Sequence, residues 1–150
     1  MFKLSICVFL LMTGVIASAR AEQGCAYPAQ VSYVDGHYRV ESNDLRWQSP
    51  KVKYRGLVEG FIGAVFIPGE DEQRENGYMD KCIYRTAWGG VVALRPYKGS
   101  KIINMSLTST LYWELRAGAF KLPEYTCTDS QPDNCAFNIN DKSTDLSVVR

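Results

Sequence analysis

Short runs of β-branched and aromatic residues alternate with turn-forming pairs along most of this chain. Val31-Ser32-Tyr33-Val34 and His37-Tyr38-Arg39-Val40 flank Asp35-Gly36. That pair accepts the positive φ required at both centres of a type I′ turn, so the segment predicts a tight hairpin. Ser42-Asn43-Asp44 breaks the chain before Leu45-Arg46-Trp47, and Gln48-Ser49-Pro50 breaks it again, because proline fixes its own φ and drives the preceding residue extended. Between Lys51 and Ile67 the residues are apolar and β-branched but interrupted by Gly56, Gly60 and Gly63, which predicts bent or bulged strands rather than a helix. Within it, Phe61 to Ile67 is a continuous apolar run ending at Pro68-Gly69 and reads as a central strand covered on both faces.

The pattern then changes. From Pro68 to Gly77, Glu70, Asp71, Glu72 and Glu75 stand against Arg74 alone with no apolar residue to bury, which predicts a solvated loop. Tyr78 to Ala87 and Val91 to Arg95 form a second predicted hairpin about Gly89-Gly90. Ile102 to Leu107, Leu111 to Arg116 and Cys135 to Ile139 read as further strands. Ser109 to Ala117 is the one stretch with a helical alternative, and beyond Asn140 only Leu146, Val148 and Val149 offer docking side chains. About eight short strands without a repeat point to an all-β domain, an antiparallel β-sandwich or small barrel.

The longest apolar run has another meaning. Met1-Phe2-Lys3 is a positive start, Leu4 to Ile16 is an almost uninterrupted apolar run and Ala19-Arg20-Ala21 is a small-x-small site, so residues 1–21 read as a signal peptide and 22–150 as the working domain. The run is too short for a permanent anchor and no second one follows, so no membrane span is expected after cleavage. The expected location is periplasmic or secreted, where disulfides persist. Cys7 leaves with the leader, and Cys25, Cys82, Cys127 and Cys135 remain as an even set that implies two disulfides. Of the three pairings, Cys127 with Cys135 is favoured by the turn chemistry of Gln131-Pro132-Asp133-Asn134, leaving Cys25 with Cys82. The chain-entropy model gives about 2.5 kcal/mol for the short loop and about 4 for the long one, as upper values.

Charge and chemistry narrow the function classes. Without Lys3 and Arg20, the 17 basic residues fall to 15 against 16 acidic ones, a formal charge of −1. With basic residues scattered among carboxylates, nucleic-acid binding is not expected. There is no CxxC pair and His37 is the one histidine, so neither a metal site nor a cofactor is expected. His37 reads as a hairpin residue facing solvent, Glu59 and Asp80 as an unremarkable carboxylate pair, and no Gly-x-Ser-x-Gly elbow exists. A calcium loop at Asp129, Asp133 and Asn134 lacks the usual spacing. Asn104-Met105-Ser106 fits a glycosylation acceptor but lies in a predicted strand. Tryptophans and tyrosines (Trp47, Trp88, Trp113, Tyr54, Tyr97, Tyr112) mostly suit a core, with Trp88 the exception because Ala87-Trp88-Gly89-Gly90 places it at a turn.

Cys25-Ala26-Tyr27-Pro28, Trp47-Gln48-Ser49-Pro50, Phe61-Ile62-Gly63-Ala64-Val65-Phe66 and Gln131-Pro132-Asp133-Asn134-Cys135-Ala136-Phe137 resemble a family of small exported proteobacterial proteins catalogued only as a domain of unknown function. The resemblance spans nearly the whole mature chain and implies a periplasmic or secreted bacterial protein; it carries no activity and no site residue. The expected function is that of a non-enzymatic binding protein of the bacterial envelope, an inhibitor or immunity protein blocking a toxin or envelope enzyme. Its expected contact residues are Glu70, Asp71, Glu72 and Glu75, with Trp88. The alternative is a secreted effector or carbohydrate-binding module using exposed aromatics.

Overall fold

A computed structural model describes residues 22–42, 45–97 and 103–140. The leader assigned to residues 1–21, the break at Asn43-Asp44 and the docking residues Leu146, Val148 and Val149 lie outside them. The strands, in chain order, are β1 Ser32–Val34, β2 His37–Ser42, β3 Leu45–Gln48, β4 Val58–Ile67 and β5 Tyr78–Thr86, followed by β6 Val91–Tyr97, β7 Met105–Leu107, β8 Trp113–Ala117, β9 Pro123–Cys127 and β10 Phe137–Ile139. Eight of them form one sheet in the order β1-β2-β3-β6-β5-β4-β9-β8, and β10 pairs with β7 in a two-stranded ribbon. Neighbouring strands are antiparallel throughout. The fold is therefore all-β. Its larger sheet has β1 and β8 as unpaired edges, so the strands do not close into a continuous barrel among the described residues. Among the described residues no helix is long and apolar enough to cross a membrane.

The Asp35-Gly36 hairpin forms as its chemistry requires, with φ of 50° and 85° at the two residues and Val34 opposite His37. The glycine-punctuated segment divides: Lys51 to Leu57 contains no strand, and β4 then runs to Ile67 with register shifts at Val58/Gly60, Phe61/Gly63 and Val65/Phe66. Consecutive residues Ala64, Val65 and Phe66 are all buried, as a strand covered on both faces demands. Three expectations need correction. β8 starts at Trp113 rather than Leu111, the described part of the Ile102–Leu107 segment is a strand only from Met105, and β9 is a strand where the sequence pattern predicts none. β9 is five residues long and opens on Pro123, a position where the missing N–H does no harm.

One cross-strand row organises the core. Leu94, Cys82, Ala64, Cys127 and Trp113 stand side by side on β6, β5, β4, β9 and β8. Both disulfides rise from this row into the layer that covers it, Cys82 to Cys25 with Cα atoms 5.9 Å apart and Cys127 to Cys135 at 5.7 Å. Between the two cysteines sits Ala64, 1% exposed, whose small side chain leaves room for the sulfur bridges on either side. Phe137 of β10 reaches down to Trp47, with ring centroids 6.0 Å apart, and Trp113 Nε1 donates to the Ala136 carbonyl at 3.2 Å. Isolated bridges from Gln23 to Phe137 and from Gly77 to Met105 fasten the ribbon at its two edges.

Candidate functional site

The loop joining β4 to β5 carries Glu70, Asp71, Glu72 and Glu75, all exposed. Its tight turn is closed by Gln73 N donating to Glu70 O at 3.2 Å, with Asp71 and Glu72 both left-handed at φ 55° and 60°. The β8–β9 hairpin repeats the device. Leu122 N donates to Ala119 O at 3.2 Å, and the central residues Phe120 and Lys121 have φ of 57° and 60°. Left-handed geometry costs a residue with a Cβ about 1–2 kcal/mol, so both turns hold local strain. At the second tip Phe120 is 96% exposed and Leu122 64%.

These two strained turns are joined. Tyr125 on β9 donates its hydroxyl to Glu72 O at 2.7 Å, and the Arg74 guanidinium lies 4.6 Å above the Tyr125 ring centroid. Arg74 also donates through Nη2 to the Trp113 carbonyl on the free edge of β8, at 3.1 Å. The acidic loop and the apolar hairpin thus form one fixed end of the molecule, with the hairpin tip starting two residue pairs beyond Leu115–Tyr125. Glu124, whose carboxylate lies over Gly118 at the root of the tip, adds to the negative collar.

Trp88 lies at the opposite end. The nine residues of β5 separate its turn from the acidic loop, about 26 Å of strand, so the expected contact set is divided between two surfaces. The turn is closed by Gly89 N donating to Thr86 O at 3.1 Å, with Gly89 at φ 78°, and it leaves Trp88 73% exposed. Tyr54 abuts the indole edge-on with centroids 5.8 Å apart, and Tyr33 and Tyr38 continue the ring cluster inward. Arg55 lies along Gly90 beside this turn, Lys53 precedes Tyr54 on the same segment and the Lys51 stem lies over Gly36; all three are exposed and without an ion pair among the described residues. Charges that alternate along the sequence are in this way partly segregated in space.

The remaining candidates have structural uses. His37 does not simply face solvent: it is half-buried and its Nδ1 lies 2.8 Å from the Ser49 carbonyl. Glu59 and Asp80 are not brought together, since Glu59 is near the Trp88 end of β4 while Asp80 pairs with Arg95 and Lys81 near the start of β5. Asp129 accepts from Gln131 N at 2.7 Å and from Asn134 Nδ2 at 3.1 Å, which closes the short disulfide loop. Asp133 accepts from the Tyr27 hydroxyl, and that bond raises the phenol's pKa. Among the described residues no three His, Cys, Asp or Glu side chains gather as a metal set. Trp47 and Trp113 are core residues, while Tyr97 and Tyr112 are exposed away from the Tyr54–Trp88 contact. The sequence gives no sign of the exposed Phe120 tip, because its left-handed centre, Phe120-Lys121, holds neither the glycine nor the asparagine that usually marks one.

Residues 20–138 match a family model described as Protein of unknown function (DUF3757). No curated protein and no solved structure matches the chain. With that model covering most of its length, the chain belongs to the DUF3757 family.

Proposed function

We propose that this is a non-enzymatic binding protein of the bacterial envelope, periplasmic or secreted, that blocks a partner protein by seating its acidic end on it. The observation that carries the reading is the clamped pairing of an almost fully exposed Phe120 with a fixed carboxylate collar. A large apolar side chain held outward in a strained turn gains free energy when a partner pocket buries it, and the surrounding carboxylates steer and orient the approach. The partner surface that fits is an apolar pocket rimmed by Lys and Arg, as in the active-site cleft of a toxin or envelope enzyme acting on anionic substrates. Two disulfides agree with an extracytoplasmic setting and stiffen the scaffold, which reduces the entropy lost on binding.

The test is affinity for a partner recovered with the purified protein and identified. Phe120→Ala is expected to slow nothing in association yet raise the dissociation rate about tenfold or more. Reversal of Glu70, Asp71 and Glu72 to lysine is expected to lower the association rate and to flatten its salt dependence. A partner bound with unchanged affinity by both variants would place the contact elsewhere.

A further inference from the structure

We propose that the end opposite the acidic loop is a second, independent binding site, for an acidic glycan: a chain of sugars bearing carboxylate groups. Its floor is Trp88 and Tyr54, and its charges are Lys53 and Arg55, with Lys51 beyond. Sugar rings present flat C–H faces that stack on an exposed indole, and carboxylates on those rings meet the flanking cations.

Four observations support it. First, Trp88 is presented and not merely exposed. Its indole edge lies against Gly56, where a Cβ would come 3.5 Å from Nε1 and only 2.9 Å from Ala87, and Gly56 has a left-handed φ of 81°. The ring is therefore held between a bare stretch of backbone and the edge of Tyr54.

Second, the segment that carries the cations is fixed although it forms no strand. The buried Tyr38 hydroxyl donates to Gly56 O at 2.7 Å and accepts from Arg55 N at 2.8 Å, while Tyr33 donates to Val52 O at 2.7 Å. Ala87 N reaches Leu57 O at 2.9 Å, and Trp88 N points to Arg55 O at 3.4 Å. The Trp88 turn and the basic segment move as one body, so little order has to be bought on binding.

Third, among the described residues these cations have no carboxylate within ion-pair distance. The Arg55 stem lies along Gly90, with Cδ 2.9 Å from where a Cβ would stand, which aims it beside the Trp88 turn. Arg39, Arg46, Lys81, Arg95 and Arg116 are each matched by a carboxylate, whereas Arg85 and Lys121 are, like the basic segment, without one among the described residues.

Fourth, the location excludes a share in the acidic end. Carboxylates Glu70 to Glu75 would repel an anionic ligand, and they lie a strand length away, which leaves Glu59 at the start of β4 as a single carboxylate on the Trp88 end of that strand. The inference therefore stands or falls separately from the proposed blocking function.

The experiment is titration of the purified, disulfide-bonded protein with hexamers of galacturonate and of alginate, read by tryptophan fluorescence and by calorimetry. Neutral cellohexaose, a ten-nucleotide oligothymidylate and phosphatidylglycerol vesicles serve as competing probes. Expected are saturable binding of an acidic hexamer, at least tenfold weaker binding of cellohexaose, and loss of affinity as salt rises. Trp88→Ala and the pair Lys53→Gln with Arg55→Gln are each expected to weaken binding at least tenfold with an unchanged circular dichroism spectrum, while Phe120→Ala leaves it unchanged. Absence of binding to both acidic hexamers, equal binding of cellohexaose, tighter binding of the oligonucleotide or of the vesicles, or indifference to Trp88→Ala would each overturn the proposal.

Discussion

Arg74 lies over the Tyr125 ring, its guanidinium carbon 4.6 Å from the ring centroid, and this contact couples the acidic loop to the edge of the main sheet. The arginine caps the Trp113 carbonyl on β8, and the tyrosine holds the Glu72 carbonyl of the loop. One nitrogen, Nη1, is buried without a partner among the described residues, so an unmet desolvation cost opposes the contact.

Replacing Arg74 by alanine is expected to lower stability by about 1–2 kcal/mol in urea unfolding, through loss of the carbonyl bond and of the cation–ring contact. Arg74→Met is expected to do less harm, because it keeps the packing on Tyr125 and removes the unsatisfied nitrogen. Hydrogen exchange of residues 68–77 should accelerate in both variants. Protection equal to the parent protein would show that the loop is held by other means.

Phe120 and Lys121 occupy left-handed positions suited to Asn-Gly. Exchanging the pair for Asn-Gly is expected to raise stability by about 1–2 kcal/mol while weakening attachment to the partner about tenfold or more. A thermal melt that moves down rather than up would contradict the strain assigned to this turn.

Gly77 has no room for a methyl group. A Cβ would come 2.2 Å from Ile67 O and 2.5 Å from the Phe66 ring, so Gly77→Ala is expected to destabilise by about 3 kcal/mol. At Gly89 the space is open and only the φ of 78° opposes a side chain, so Gly89→Ala should lose about 1 kcal/mol. Denaturant midpoints of the two variants separate steric crowding from backbone strain.

The two disulfides close loops of very different length, with sequence separations of 57 and 8. Removing Cys25 and Cys82 together is expected to lower stability by about 1.5 kcal/mol more than removing Cys127 and Cys135, by the logarithmic dependence of loop entropy. Equilibrium unfolding of the two double-alanine variants measures the difference.

Tyr84 is buried and donates to the Ala26 carbonyl at 2.7 Å; burial pushes its phenol well above the ordinary value of 10.0, with the backbone bond opposing in part. A raised folded-state pKa favours the folded protein fully below pH 10, and that contribution is lost as the pH climbs beyond it, since the unfolded phenol ionises first. Stability should therefore fall more steeply above pH 10 in the parent than in Tyr84→Phe. At neutral pH that variant is expected to be about 1 kcal/mol less stable, because the Ala26 carbonyl loses its donor.

Particular residues show how far local chemistry reaches. Asp35-Gly36 dictated its hairpin because two adjacent left-handed residues suit that pair and few others. The strand β9 was illegible, since Pro123-Glu124-Tyr125-Thr126-Cys127 is too short for its alternation to stand out beside a cysteine loop. Phe120 and Lys121 contradict their own propensity, and only the flanking β8–β9 pairing forces the conformation upon them. Trp88 was legible as a turn residue, whereas its cationic surroundings were not. Lys53 and Arg55 are sequence neighbours of Tyr54, but the indole comes to them from a hairpin more than thirty residues later.

From the sequence by itself followed an all-β chain, most of its turn positions and the Cys127–Cys135 bridge, because each depends on side chains acting within a few residues of one another, and the even cysteine count then left Cys25 with Cys82. Only the tertiary structure decided which surfaces exist. It put the acidic loop beside Phe120 and the basic segment beside Trp88, at opposite ends of β5, because antiparallel pairing carries the chain from one end of the sheet to the other and groups residues by strand end rather than by order along the chain.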